Sequence, residues 1–447
     1  MLTRRSLLLA AAAVAGCAPT GSGPSPTQIS SSAQASPATS AASPSGTAGP
    51  FQMPVPCKVD VLGYQGPYVS NTFEAAERLF AERNKGASAA FRLSSNPAQE
   101  LGVTPPDVLH DAGPRPLLLA RERTRLVDLA PLLTAPALAG DGTVGAGLYT
   151  GVAEAGSFGG TQLALHFALD VHGLWYSKST AARLKLGRPR SFDELLAMAP
   201  GERYLFAWEP ALAVNYLELF LTVAVKEAGV SLLAGLEGLA PDAWRHPALL
   251  AVLEAFAQLL GTQQLREVAG AAALWAADGG PLFLPGPASA LRETKAVRAA
   301  TFLPAVLAPP GLSPAADLPL AARVGFAEPF AIPADSTRQA CGLEFLRVVF
   351  SPTVAREFAL TNHLVPAVRG TLPQELSPEL SAQIGLLSAT GAHRIHWRFI
   401  DYYGLGSVFS QATASFLRGQ SSAVELLDTL QAATDDARSN PENTPLR

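Results

Sequence analysis

Residues 163–178 read LALHFALDVHGLWYSK, and this stretch determines how the rest of the chain is organised. The stretch is mostly apolar, as is typical of a strand that is buried on both faces. It ends in Trp175 and Tyr176, two aromatic residues whose side chains have polar tips. We therefore predict a strand that runs from one compact unit into another and presents these two side chains to the space between the units.

Length and composition predict a folded body with more than one core. The 447 residues exceed what a single hydrophobic core usually organises. A hydrophobic fraction of 48% and a charged fraction of 16% are typical of a globular protein. The formal net charge of -4, without any run of Lys and Arg, argues against a nucleic-acid partner.

The N-terminus has the order of an export signal. Arg4 and Arg5 precede the apolar run 7–14, and small residues lead to Cys17. This ending resembles the lipobox of bacterial lipoproteins, in which the cysteine is acylated. Residues 1–17 are thus predicted to be a lipoprotein signal peptide that ends at a lipidated Cys17, which would hold the protein on the extracytoplasmic side of the cell membrane. The paired arginines leave general and twin-arginine export both open.

Residues 18–56 are predicted to be a disordered tether, because Ser, Ala, Pro, Thr and Gly dominate this segment and cannot build a core. Two cysteines remain beyond it, Cys57 and Cys341. In an exported protein they could form a disulfide, and two buried free thiols are an equally ordinary alternative.

Beyond the tether, strand and helix patterns alternate. Residues 58–63 read as a strand, and Phe73, Ala76 and Phe80 share one face of a helix that should end near residue 84. Helix starts are also expected at Ser351 with Pro352, and at Ser422, where Glu425 completes a capping box. The alternation predicts an α/β fold with a mostly parallel sheet.

The chain carries no motif for covalent chemistry: HExxH, GxSxG, a Walker loop and CxxC are all missing from the sequence. No catalytic residue, cofactor or metal is therefore predicted. Aromatic residues instead stand beside polar ones, in the segments Trp175–Tyr176, Trp208–Glu209 and Trp397–Tyr403. A sugar needs such a combination, since its C–H face stacks on a ring while carboxylates or amides bind its hydroxyl rim. Each aromatic residue alone also fits ordinary core packing.

Several segments together resemble a known family. They are LVDLAPLL (126–133), GLWYS (173–177), FLRVVFSPTVAREF (345–358) and Trp397–Tyr403, following a lipobox and a low-complexity tether. In this order they resemble the extracytoplasmic solute-binding proteins of bacterial carbohydrate ABC importers (family 1, carbohydrate type). The resemblance is closest to the N-acetylglucosamine- and chitobiose-binding members.

The resemblance implies a two-lobed periplasmic-binding-protein-like fold of type II within residues 57–447, with the lobes joined by crossover hinge strands. The first lobe would hold about 57–165 and 322–366, and the second about 167–305 and 367–447. Ligand would bind in the cleft between the lobes and be captured by hinge closure.

The resemblance also implies the function: capture of an amino sugar or short oligosaccharide and delivery to ABC permease subunits. We expect a monomer without enzymatic activity. The ligand-binding residues are expected to be Trp175, Tyr176, Trp208, Glu209, Asp111, Trp397, Arg398, Asp401 and Tyr402.

Two departures from the subfamily leave the ligand identity open. Pro287 and Ser289 stand where a Gly and a Trp are expected, and His110–Asp111 stands in place of an Asp-Asn pair. The alternative functions are an exported hydrolase of cell-wall glycans and a lipoprotein of the same fold that binds a non-sugar or nothing.

Overall fold

The computed structural model of the protein describes residues 50–65, 73–101, 103–111, 123–187, 189, 191–198, 204–262, 264–277, 279–291, 300–303, 322–391, 394–443 and 446. The predicted signal peptide with Cys17 and most of the predicted tether lie outside these ranges. Residues Ala48–Arg447 form one compact unit. Within the part that is described, none of the helices has both the length and the apolar composition needed to cross a bilayer.

The strands confirm the expected mixture of strands and helices, but the prediction of a mostly parallel sheet is wrong, because the pairs formed by β6 are antiparallel. They are β1 (Lys58–Tyr64), β2 (Ser88–Ser94), β3 (Val108–His110), β4 (Ser157–Phe158), β5 (Thr161–Gln162), β6 (Leu165–Ser177), β7 (Phe206–Trp208), β8 (Leu265–Glu267), β9 (Phe283–Pro287), β10 (Ala300–Leu303), β11 (Ala322–Ala331), β12 (Val365–Pro366) and β13 (Arg394–Ile395).

The α-helices fill most of the intervals between the strands. They are α1 (Glu74–Arg83), α2 (Pro97–Glu100), α3 (Ala130–Thr134), α4 (Val152–Ala155), α5 (Lys178–Leu184), α6 (Phe192–Leu196), α7 (Val214–Ala228), α8 (Val230–Glu237), α9 (Pro247–Gly261), α10 (Ala271–Ala276), α11 (Gln339–Val349), α12 (Pro352–Asn362), α13 (Pro378–Thr390), α14 (Phe399–Tyr402), α15 (Gly406–Leu417) and α16 (Ala423–Ser439).

The predicted helix starts are confirmed by their hydrogen bonds. Ser351 precedes α12, and its hydroxyl accepts from the backbone N–H of Val354. Ser422 and Glu425 form a complete capping box at the start of α16. In both cases a short polar side chain satisfies an N–H group that has no partner within its own helix.

Strand pairing organises the described chain around β6. The main sheet runs in the order β2-β1-β3-β11-β6-β9-β7-β8. The outer pairs are parallel, whereas β11 is antiparallel to both β3 and β6, and β9 is antiparallel to β6. From Leu165 to Val171, β6 pairs with β11, and from His172 onward it pairs with β9. The predicted buried strand is therefore confirmed as one that connects two groups of strands.

Each group of strands has its own aromatic core. In the first, the ring of Phe73 contacts those of Phe167, Phe330 and Phe358, with centroids 5.5, 5.1 and 6.2 Å away. These contacts bind α1 and α12 to the paired strands β6 and β11. In the second, Trp244 is fully buried against Phe409, and its indole N–H donates to the Thr434 hydroxyl at 2.8 Å.

A disulfide joins Cys57 to Cys341, which resolves the alternative left open by the sequence. Cys57 directly precedes β1, and Cys341 lies in α11. Both residues are buried. The bond connects positions 284 residues apart and thereby ties the start of the folded unit to a late helix.

Removing this disulfide should lower the free energy of unfolding. A cross-link that closes so long a loop restricts the unfolded chain strongly, so we expect the Cys57→Ala/Cys341→Ala variant to lose about 2–4 kcal/mol. Urea titration of both proteins with and without dithiothreitol measures the effect. Reductant should destabilise the wild type and leave the double variant unchanged; equal stability of the two oxidised proteins would contradict the prediction.

Candidate functional site

A pocket opens at the carboxyl ends of β7 and β9. Because β7 runs parallel to both β8 and β9, the residues that follow these three strands lie along one edge of the sheet. Ligands of α/β proteins bind at such edges. The concavity found here is small and partly open to solvent, and we call it the edge pocket. Its lining includes Trp208, Glu209, Asn215, Tyr216 and Pro285.

Two of the predicted site residues, Trp208 and Glu209, line the edge pocket together. Trp208 is the last residue of β7, and Glu209 follows it directly. The Glu209 carboxylate accepts the backbone N–H of Gly270 at 3.1 Å, a bond that leaves it further capacity to accept. The pocket therefore combines an indole with a carboxylate.

Arg418 supports Trp208 from outside the lining of the pocket. Its guanidinium carbon lies 5.5 Å from the centroid of the indole ring, within cation–π distance. Two of its nitrogens bind the Glu267 carboxylate at 2.7 and 2.8 Å. This bidentate geometry fixes the plane of the guanidinium and lowers the pKa of Glu267 through the hydrogen bonds from Arg418.

Asn215 and Tyr216, at the start of α7, complete the polar lining. At Gly286, where φ is +148°, a Cβ atom would stand 2.9 Å from the Asn215 amide nitrogen. Glycine at this position thus lets the amide approach β9 closely. The Tyr216 hydroxyl donates to the Ala207 carbonyl at 3.1 Å, and burial raises the pKa of this phenol.

Trp397 and Asp401 belong to a second polar region. The guanidinium carbon of Arg323 lies 4.7 Å from the centroid of the Trp397 ring, and Arg323 also binds Glu218 at 2.7 Å. Asp401 is exposed to water, yet desolvation by the surrounding protein raises its pKa, and the negative charge of Glu218 raises it further. The C-terminal aromatic segment therefore meets strand β11 and helix α7.

Arg398 and Tyr402 instead hold a neighbouring loop. Arg398 donates to the backbone carbonyls of Glu154 and Ser157 at 2.7 and 2.8 Å, and its guanidinium lies over the ring of Phe158. The Tyr402 ring stacks on the same Phe158 with a centroid distance of 4.7 Å. These contacts are structural, and the ligand-binding roles of the two residues stay predictions.

Trp175 and Tyr176 are part of the core. The Trp175 side chain is fully buried, and its indole N–H donates to the Gly286 carbonyl at 3.1 Å. Tyr176 is 7% exposed and contacts the ring of Phe283. Both therefore contribute to packing in this structure. The expected contact of these two residues with ligand stays a prediction.

The departures at His110 and Ser289 have structural roles. His110 is buried, and its Nε2 lies 2.7 Å from the Glu328 carboxylate. Asp111, next in sequence, follows β3, and its backbone N–H donates to the Pro329 carbonyl. Ser289 donates its hydroxyl and its backbone N–H to the two carboxylate oxygens of Asp170, at 2.5 and 3.0 Å. Hydrogen bonds from this serine thus connect the segment that follows β9 to Asp170 of β6.

Sequence reasoning missed Asn215, His172 and Arg323. Each occupies a regular element, and no local spacing connects them. Glu218 gave one usable signal, a carboxylate that interrupts an otherwise apolar helix. Among the described residues, His, Cys, Asp and Glu form no group of three or more that could hold a metal ion.

Comparison with known proteins agrees with the predicted resemblance. The chain is 26% identical over 411 residues to the diacetylchitobiose binding protein NgcE of Streptomyces coelicolor, and the match covers 87% of each protein. A solved chitin oligosaccharide binding protein superposes with a TM-score of 0.66 at 15% identity, covering 86% of this chain and 99% of the other. RafE in complex with raffinose gives a TM-score of 0.64 at 16% identity, covering 86% and 100%.

These matches confirm the two-lobed α/β fold of the periplasmic sugar-binding proteins. They also confirm the predicted resemblance to carbohydrate-binding proteins of ABC importers and the expectation of a binding protein instead of an enzyme. No protein-family model matches the chain. The predicted lobe boundaries and the predicted site residues remain predictions.

The burial of Trp175 predicts a large loss of stability on truncation. Trp175→Ala removes a fully buried indole and one hydrogen bond, so the free energy of unfolding should fall by about 3–5 kcal/mol. Urea unfolding measures this loss. Val424→Ala, at a position that is 53% exposed, is the control and should change it by less than about 0.5 kcal/mol. Near-normal stability of Trp175→Ala would show that the ring does not support the core.

Proposed function

We propose that this chain is the substrate-binding component of a carbohydrate ABC importer, which captures an amino sugar or a short oligosaccharide and delivers it to permease subunits. Similarity to a diacetylchitobiose binding protein along 87% of both chains supports the proposal. The two-lobed fold supports it independently, because a cleft between lobes can close on a ligand without covalent chemistry.

The edge pocket is the observation that carries the ligand assignment. An indole, a carboxylate and an amide converge there, from Trp208, Glu209 and Asn215. Trp208 is 3% exposed in this structure, so its indole would stack on the C–H face of a sugar ring only after a movement that uncovers it, while the carboxylate accepts from hydroxyl or N–H groups.

An N-acetylated sugar suits this lining better than a simple hexose. Its acetamido group offers one N–H donor and one carbonyl acceptor. Glu209 can accept from the N–H, and the Asn215 amide can donate to the carbonyl. We therefore propose diacetylchitobiose or a related short N-acetylated oligosaccharide as the ligand. Closure of the lobes would add residues from the other group of strands, where Asp111 follows β3.

The membrane attachment is also part of this proposal. We propose that a lipidated Cys17 anchors the protein on the extracytoplasmic side of the cell membrane and that residues 18–56 act as its tether. The order of charged, apolar and small residues before Cys17 supports this assignment. A flexible tether would let a monomeric binding protein reach the permease without leaving the membrane surface.

Replacing Glu209 should weaken sugar binding. Glu209→Gln removes the charge but keeps an oxygen that can accept from Gly270, so the local fold should persist. The loss of a charge-assisted hydrogen bond should raise the Kd for diacetylchitobiose by about 10- to 100-fold. Isothermal titration calorimetry with diacetylchitobiose, cellobiose, maltose and N-acetylglucosamine measures the affinities.

The matched control is Glu254→Gln, an exposed carboxylate of α9, which should leave every Kd unchanged. If cellobiose binds as tightly as diacetylchitobiose, the preference for N-acetylated sugars is wrong, while the proposed function as a sugar-binding protein stands. If the wild type binds no carbohydrate at all, the proposed function itself is wrong.

Replacing Cys17 should detach the protein from the membrane. In cells of a lipoprotein-processing bacterium fed with a labelled fatty acid, the wild type should carry the label and sediment with membranes. Cys17→Ala should lack the label and appear in the soluble fraction. Membrane sedimentation of Cys17→Ala equal to that of the wild type would rule out the lipid anchor.

A further inference from the structure

Three polar side chains meet at the point along β6 where its pairing partner changes from β11 to β9. They are His172 of β6, Arg323 of β11 and Glu218 of α7, and we call them the hinge network. Arg323 binds one Glu218 oxygen at 2.7 Å, and His172 Nδ1 lies 2.9 Å from the other. Arg323 also contacts Nε2 of His172. The three side chains thus form a closed triangle.

The triangle defines the protonation state of His172. A guanidinium can only donate hydrogen bonds, so the imidazole nitrogen that faces Arg323 must accept. The proton of the neutral ring then sits on Nδ1, which faces the Glu218 carboxylate. A protonated imidazole would donate from both nitrogens and turn an N–H group toward the cationic Arg323. The observed triangle therefore requires a neutral ring.

The surroundings leave the imidazole little freedom to turn away from Arg323. A Cβ atom on Gly325, in the neighbouring strand, would lie 3.1 Å from His172 Nε2. Arg323 is 4% exposed and is covered by the Trp397 ring. Burial acts to raise the pKa of Glu218, but the charge of Arg323 and the hydrogen bond from His172 outweigh it and hold that pKa below its usual value. Glu218 therefore stays ionised beside the imidazole.

Helix α7 connects the hinge network to the edge pocket. Glu218 lies three residues after Asn215, so the two side chains share one face of the helix. Asn215 lines the edge pocket, whereas Glu218 binds residues of both crossover strands. Release of Glu218 from either strand would allow the start of α7, and with it the Asn215 amide, to shift.

We propose that the hinge network positions the edge pocket and does so only while His172 is neutral, so that sugar affinity falls when this imidazole takes up a proton. This inference rests on the proposed function. His172, Arg323 and Glu218 are positioning residues in it, since none of them lines the described pocket.

Other ionisable groups around the network set the direction of the pH effect. Asp401 lies near Glu218, and Asp170, on the same strand as His172, is hydrogen-bonded to Ser289. Burial and the charge of Arg398 lower the pKa of His166 to about 4 and also lower that of His396. The His166 ring thus remains neutral through most of the range in which an ordinary imidazole titrates, and the His396 ring takes up a proton at a lower pH than an ordinary imidazole does. Burial and the charge of Glu218 raise the pKa of Asp401, so this carboxylate takes up a proton at a higher pH than an ordinary aspartate does.

The test compares the wild type with His172→Gln. A glutamine can accept from Arg323 with its carbonyl oxygen and donate to Glu218 with its amide nitrogen, but it does not titrate. Calorimetric titrations with diacetylchitobiose between pH 8 and pH 5.5 should show a wild-type affinity that falls with pH, by at most about tenfold per pH unit for one proton. His172→Gln should bind within a few-fold of the wild type at pH 8 and lose most of this dependence.

His363→Gln is the matched control, because His363 is exposed and lies outside the network; it should keep the wild-type pH profile. A wild-type profile that persists in His172→Gln would overturn the inference and assign the effect to another group such as Asp401. An affinity that does not vary with pH in the wild type would overturn it too. A wild type that binds no sugar at any pH would instead refute the proposed function.

A second measurement needs neither sugar nor a stable variant. Nitrogen-15 spectra of the histidine-labelled wild type at pH 8 report which imidazole nitrogen carries the proton. The His172 resonances are assigned by their absence from the spectrum of His172→Gln or by selective labelling. An Nδ1–H tautomer for His172 supports the network. An Nε2–H tautomer or a charged ring at this pH would overturn it.

Discussion

The antiparallel pairing of β6 with β11 is the interaction on which the other parts of the structure depend. At 13 residues, β6 is long enough to pair with β11 over its first half and with β9 over its second. Its buried apolar side chains anchor it between the helices of both groups of strands. A shift by one residue would break its backbone pairing with β11 and β9 and would move His172 away from Arg323. Its register therefore fixes where His172 meets Arg323 and where β9 presents Gly286 to Asn215.

The sequence predicts the fold well because its strongest patterns are local. The apolar run before Trp175, the alternation of strands and helices and the caps at Ser351 and Ser422 each act within a few residues. Trp208 and Glu209 were found for the same reason, since both stand at the end of one short strand. Such features depend on neighbours along the chain, so they can be recognised without knowledge of tertiary contacts.

The remainder of the site depends on contacts between distant segments. Trp175 and Trp208 have the same local appearance and both are buried, but only Trp208 lines the edge pocket. Arg323 and His172 come together only because β11 returns antiparallel to β6. Ser289 stands where an aromatic ring was expected. Its hydroxyl donates to Asp170 of β6, so this position contributes a hydrogen bond to β6 in place of a ring on which a sugar could stack. Specificity at this edge then rests more heavily on the single indole of Trp208.

The disulfide between Cys57 and Cys341 also has a consequence for the order in which the protein can be assembled. Strands β1 to β3 are synthesised early. The strand that completes their sheet, β11, and Cys341, which pairs with Cys57, are both synthesised much later. Until then, β3 presents an open edge that invites incorrect pairing. The α7–α9 region, whose contacts are mostly with each other and with the C-terminal helices, is less exposed to this delay. The disulfide can thus form only after most of the chain is available, when Cys341 can reach Cys57.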